Sequence, residues 1–154
     1  MKTIFLIRHA KSSWKNQFLE DHERPLNKRG LSDAPRMGEK LRQTYPAPEK
    51  ILCSRAVRAQ ETAKIIQKIW FPKKTIDFSN KLYEQPTSNI LKVINESPNN
   101  LDSLALFFHN PTITHLANLL ASLDIHNVPT CGVVTLSCLA SNWKSVEVGK
   151  CHLV

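Results

Sequence analysis

The chain has 154 residues, 42% of them hydrophobic and 22% charged, with a formal net charge of +8 at pH 7. That length suits one domain spanning residues 1–154 around a single core, and that composition excludes wholesale disorder. The positive balance favours anionic partners, namely phosphorylated molecules, acidic proteins or nucleic acid, without choosing among them.

In chain order, Ile4-Phe5-Leu6-Ile7 is a short apolar run with two β-branched residues and predicts a buried strand. It stops abruptly at Arg8-His9. Lys11 to Leu26 is polar and long for a loop in a compact domain, and such loops are often functional. Asn27 is placed to cap a helix running towards Tyr45, with Leu31, Ala34, Met37 and Leu41 at helical spacing. Pro35 fits that helix if it starts near Ser32 and otherwise kinks it.

Ile51-Leu52-Cys53 predicts a second buried strand. Ser54 stands as the cap of a helix reaching about Trp70, with Ala59, Ala63, Ile66 and Trp70 as its apolar stripe. Arg55 and Arg58 fall in the first turn of that helix, where cations oppose the helix dipole. An anion bound at that end would reverse the sign of the effect, so one of the two arginines is a ligand candidate. Thr75 to Phe78 predicts an edge strand, Asn80 to Thr87 a loop carrying Tyr83-Glu84, and Ser88 to Asn95 a short helix.

Leu104 to Phe108 is the second strongly apolar strand, and it ends at His109. Asn110 and Pro111 are a strong helix-start signal, with Leu116, Leu119, Leu120 and Leu123 as the stripe that follows. Val133 to Leu139 and Ser145 to Val148 predict a closing hairpin around Ala140-Ser141-Asn142. Strands alternating with helices argue for an α/β fold with a largely parallel sheet.

No apolar run approaches the roughly 20 residues of a membrane helix, and the first is too short for a signal-peptide core. The expectation is a cytoplasmic protein with no membrane partner. The cysteines show no C-x-x-C spacing, and Cys53, Cys131 and Cys138 lie in or beside apolar stretches, which predicts buried free thiols. The six histidines show neither H-x-H nor H-E-x-x-H spacing, so no metal site is expected.

In a parallel sheet the junctions bearing Arg8-His9, Arg55/Arg58 and His109 gather on one edge. Two arginines and two imidazoles there would grip a tetrahedral dianion, and one neutral imidazole could attack phosphorus. Several segments point the same way: Leu6-Ile7-Arg8-His9-Ala10-Lys11-Ser12, Asp21-His22-Glu23-Arg24-Pro25-Leu26-Asn27-Lys28-Arg29-Gly30, Ser54-Arg55-Ala56-Val57-Arg58-Ala59-Gln60-Glu61-Thr62-Ala63 and His109-Asn110-Pro111. With Pro129-Thr130 before the last hairpin, they resemble the histidine phosphatase superfamily and, more narrowly, its short SixA-like phosphohistidine phosphatase branch.

The resemblance implies a phosphoglycerate mutase-like three-layer α/β/α sandwich with a mostly parallel central sheet. It implies His9 as the nucleophile that becomes phosphorylated, with Arg8, Arg58 and His109 on the phosphate. Arg58, not Arg55, stands four residues after the motif serine; Arg55 either lines the mouth of the pocket or is a surface charge. Glu84 is the candidate proton donor, and Arg24 and Ser12 are candidates for substrate binding. Ala10 replaces the family glycine, a change tolerated if its φ is negative. Phe107-Phe108 replaces a smaller pair before the second histidine, which narrows the pocket floor.

The implied activity is a metal-independent, cofactor-free phosphatase acting on a phosphorylated protein, foremost protein phosphohistidine, or on a small phosphorylated metabolite as a phosphomonoesterase. A non-catalytic phosphate- or partner-binding module is the alternative of another class. Nucleic acid is not an expected partner, because the charge is spread along the chain and no binding motif appears.

Overall fold

A computed structural model describes residues 1–154. Six strands form one sheet: β1 (Lys2–Arg8), β2 (Lys50–Ser54), β3 (Asp77–Ser79), β4 (Ser103–Phe108), β5 (Val133–Cys138) and β6 (Cys151–Leu153). Their spatial order is β3-β2-β4-β1-β5-β6. β1, β2, β3 and β4 run parallel, while β5 is antiparallel to β1 and β6 to β5.

Four helices cover both faces: α1 (Lys28–Thr44), α2 (Val57–Trp70) and α3 (Thr87–Asn95) link the parallel strands, and α4 (Thr112–Ala121) leads from β4 to β5. Alternating side chains of a strand point to opposite faces, and both faces here are apolar. Phe5, Ile7, Ile51, Cys53, Ala105 and Phe107 pack with Leu41 of α1 and with Ala59, Ala63, Ile66 and Trp70 of α2. Ile4, Leu6, Leu104, Leu106 and Phe108 pack with Ile90 and Ile94 of α3 and Ile113, Leu116 and Leu120 of α4. This is the α/β/α sandwich with a mostly parallel sheet.

Parallel pairing brings the carboxyl ends of β1, β2 and β4 to one edge, with Arg8 beside Phe108 and Cys53 beside Phe107. The loop from Lys11 to Leu26 rises from that edge and is tied at its base. Ser12 bridges Leu26, the Asn27 N–H donates to the Lys11 carbonyl, and a short 3-10 turn spans Asp21–Glu23. Gly30, in the first turn of α1, presses on the same base: a Cβ there would stand 2.2 Å from the Lys11 carbonyl oxygen. Asn27 caps α1 by accepting from the Gly30 N–H.

Several local expectations fail for identifiable reasons. Ser54 does not cap α2. The helix starts at Val57 with Ala56 in the cap position, and Ser54 ends β2. Asn110 does not cap α4 either: Pro111 holds that position after a cis Asn110–Pro111 bond, and Asn110 Oδ1 accepts from the Thr114 hydroxyl instead. Leu31 is half exposed, because the buried face of α1 runs through Gly30, Ala34, Gly38 and Leu41. Pro35 lies inside α1, which begins at Lys28 rather than near Ser32.

The closing hairpin has a different second strand. Residues 145–148 do not pair with β5, because Trp143 and Val146 turn into the core, where their carbonyls accept from the Asn95 amide. Cys151–Leu153 takes that place. Cys138 then stands opposite Cys151 and the two form a disulfide, which overturns the expected free thiol at Cys138. Cys53 and Cys131 are free and buried. No helix is long and apolar enough to cross a membrane.

Candidate active site

His9 follows directly on β1, and its backbone is pinned on both sides. Its N–H donates to the Phe108 carbonyl, and its own carbonyl accepts from the Cys131 N–H. The next N–H, of Ala10, donates to Thr62 Oγ1. Ala10 is fully buried and is not among the residues with positive φ, so its methyl group is accommodated without strain.

Both nitrogens of the His9 ring are engaged, and the contact at Nδ1 determines the tautomer. Nδ1 lies 2.7 Å from the Ala10 carbonyl, which can only accept, so Nδ1 carries the hydrogen and Nε2 the lone pair. Arg58 Nε donates to that lone pair at 3.3 Å. The His109 ring lies 5.2 Å from the His9 ring, centroid to centroid. His9, Arg58 and His109 are thus close enough to touch a common oxyanion.

Electrostatics keep both imidazoles neutral. Burial, followed by the charges of Arg58, Arg8 and Arg24, holds His9 down to about 4, against the opposing hydrogen bond to Ala10. Burial comes first for His109 too, aided by His9, Arg58 and Arg8 and opposed by Asp21, and brings it to about 3. Burial therefore outweighs the arginines as the cause of both shifts. Arg8 donates through Nη1 to the Val128 carbonyl at 2.8 Å, and its buried Nε has no partner.

A residue outside the candidate set joins these groups. Asp21 accepts from Arg58 Nη2 at 2.9 Å and from Arg24 Nη2 at 3.2 Å through its two carboxylate oxygens, and its backbone carbonyl accepts from Arg58 Nη1. The Tyr83 hydroxyl donates to Asp21 Oδ2 at 2.7 Å. Burial raises the Asp21 carboxyl, but the Tyr83 hydroxyl, Arg58 and Arg24 together outweigh it and hold the group down to about 2. It is therefore an obligate carboxylate near neutral pH and no proton donor.

Beside His109 opens a cavity of about 340 Å³. Leu82, Ile90 and Phe108 contribute its apolar surface, and Tyr83, Glu84 and Asn110 are among the rest of the lining. Phe108 reaches it, whereas Phe107 points into the core against α2. Glu84 is exposed and holds a φ of 50°, a left-handed conformation that costs a non-glycine residue on the order of 1 kcal/mol.

Arg24 and Ser12 are both buried and bonded to each other, Nη1 to Oγ at 2.9 Å, and neither lines the cavity. Arg55 is exposed and does not line it either. His22, His115, His126 and His152 are exposed. Asp21 and Ser54 escaped the sequence reading as site residues, although both lie inside the quoted motif segments; only their position in those segments could have marked them.

The fold places two histidines and two arginines at the carboxyl edge of its parallel strands. The family model for branch 1 of the histidine phosphatase superfamily matches residues 4–87, and the chain belongs to that superfamily. The uncharacterized protein Rv1276c of Mycobacterium tuberculosis is 33% identical over 158 residues, covering 96% of each chain. A candidate phosphohistidine phosphatase SixA of Agrobacterium tumefaciens superposes with a TM-score of 0.83 at 25% identity, covering 89% of this chain and 92% of its own. A candidate SixA from Nakamurella multipartitia also gives 0.83, at 23% identity, over 99% of this chain and 93% of that one.

Proposed function

We propose that the protein is a phosphatase that passes a phosphoryl group from protein phosphohistidine to Nε2 of His9 and then to water. The observation that carries this reading is the His9 ring, neutral and held with its Nε2 lone pair against Arg58 Nε and beside His109. In the first step Nε2 of His9 forms a bond to phosphorus as the substrate's P–N bond breaks, and the leaving imidazole takes a proton. In the second step water forms a P–O bond, the P–N bond to His9 breaks, and the proton of the water is taken up.

Arg8, Arg58 and His109 neutralise the equatorial oxygens, an effect usually worth several kcal/mol. The charge of the two arginines does the work a metal would do, with neutral His109 adding a hydrogen bond, so chelation leaves the rate unchanged. Glu84, on the cavity wall, gives the proton in the first step and takes one back in the second.

The cavity supports the choice of substrate. Arg58 is the sole cation among its lining residues, against the carboxylates of Asp21 and Glu84. A leaving group bearing a second phosphate would meet no further counter-charge there. A flat, neutral or cationic ring such as imidazole suits the Tyr83 ring and the apolar floor of Leu82, Ile90 and Phe108.

The test is turnover of a phosphohistidine protein, with and without EDTA, beside sugar phosphates and nucleotides. Labelled phosphate should be trapped on His9, and His9→Ala should lose about three orders of magnitude or more of activity. Wild-type activity in His9→Ala would refute the nucleophile, and faster turnover of sugar phosphates or nucleotides than of phosphohistidine would refute the substrate.

A further inference from the structure

Ser54 ends β2, is fully buried, and stands 55 residues from the histidine it touches. Its Oγ lies 2.7 Å from Nε2 of His109 and accepts from the Ala56 N–H at 3.2 Å. The other ring nitrogen, Nδ1 of His109, is buried with no partner in the protein.

Only two arrangements of hydrogens fit these contacts. If Nε2 carried the hydrogen, Ser54 Oγ would accept from both Ala56 and His109. The serine hydrogen would then have no acceptor, and Nδ1 would be a lone pair with no donor, leaving two buried groups unsatisfied. If Nε2 carries the lone pair, the serine hydroxyl donates to it, and the one group left over is an Nδ1–H donor. Buried polar groups avoid being unsatisfied, so the second arrangement prevails.

We propose that Ser54 is a positioning residue: its hydroxyl holds the hydrogen of His109 on Nδ1, making that atom the donor offered to a phosphoryl oxygen. The use of that donor rests on the reading of His109 as a phosphate ligand; the tautomer does not. The Ala56 N–H polarises the Ser54 hydroxyl, and the hydroxyl polarises the imidazole, so each hydrogen bond in the chain strengthens the next. This gives the motif serine a task other than capping α2.

The test is nitrogen-15 NMR of histidine-labelled protein at neutral pH, in the wild type, Ser54→Ala and Ser54→Thr, followed by titration with orthovanadate. The wild type should show His109 protonated at Nδ1 and bare at Nε2. Ser54→Ala should shift that balance towards Nε2–H and weaken orthovanadate about tenfold, and Ser54→Thr, which keeps the hydroxyl, should restore the wild-type tautomer.

A wild-type signal for Nε2–H at His109 would overturn the proposal, and it decides the matter even if a variant fails to fold. An unchanged tautomer or unchanged orthovanadate affinity in Ser54→Ala would overturn it as well. The spectrum is recorded without substrate, so it is independent of the phosphatase assay: trapping of phosphate on His9 could fail while the tautomer stands, and the reverse.

Discussion

Asp21 and Arg58 meet at two points: the guanidinium donates through Nη1 to the Asp21 carbonyl at 2.7 Å and through Nη2 to the carboxylate at 2.9 Å. The long loop thereby places an anion on the arginine assigned to the phosphate, while Nε of the same group stays on His9. A phosphoryl group arriving at Arg58 has to share or displace that carboxylate.

Asp21→Asn tests this competition. The amide can still accept from Tyr83, but it no longer neutralises Arg58 and Arg24. Orthophosphate, measured as a competitive inhibitor, should bind severalfold more tightly to the variant than to the wild type. Weaker binding would mean that the carboxylate serves to aim Arg58 rather than to compete for it.

Glu84 is tested by the leaving group. A general acid usually contributes about 10² or more when the departing atom is basic and little when it is not. Glu84→Gln should therefore slow an alkyl phosphate by about a hundredfold, and an activated aryl phosphate by no more than about threefold. Equal losses on both substrates would assign the proton to another group.

The two buried imidazoles make stability depend on pH. Both folded-state values lie below the ordinary 6.5, at about 4 for His9 and about 3 for His109. As pH falls below 6.5 the unfolded chain binds protons that the folded chain refuses. The stabilisation is complete above 6.5 and is lost progressively as pH falls towards the folded values. Between pH 7 and pH 5 each histidine should remove about 2 kcal/mol. Urea unfolding of the wild type and of His9→Gln checks this, the variant having the shallower dependence. A wild-type stability that stays flat or rises over that interval would contradict the burial argument.

Much of the architecture is local and therefore legible in the chain. The apolar runs at Ile4 to Ile7 and Leu104 to Phe108 specify strands buried on both faces, and their abrupt ends put His9 and His109 where parallel strands deliver side chains to one edge. The Asn27 cap needs only the neighbouring turn. At Ser54 and Asn110 the same kind of local rule fails, because other partners take the side chains: His109 across the sheet for Ser54, and the Thr114 hydroxyl one turn on together with the Asn127 side chain for Asn110.

What the amino-acid order determined alone was most of the elements, the sheet class and the placing of Arg8-His9, Arg55/Arg58 and His109 at or just beyond strand ends; the family motif, not periodicity, singled out Arg58. What the folded chain decided was which polar groups meet: Asp21 with Arg58, Ser54 with His109, and Cys138 with Cys151. Those pairings depend on crossovers and strand register that bring segments 37, 55 and 13 residues apart into contact. Hydrophobic periodicity specifies which face of an element is buried, but it carries no information about the polar partner waiting on the other side of a turn.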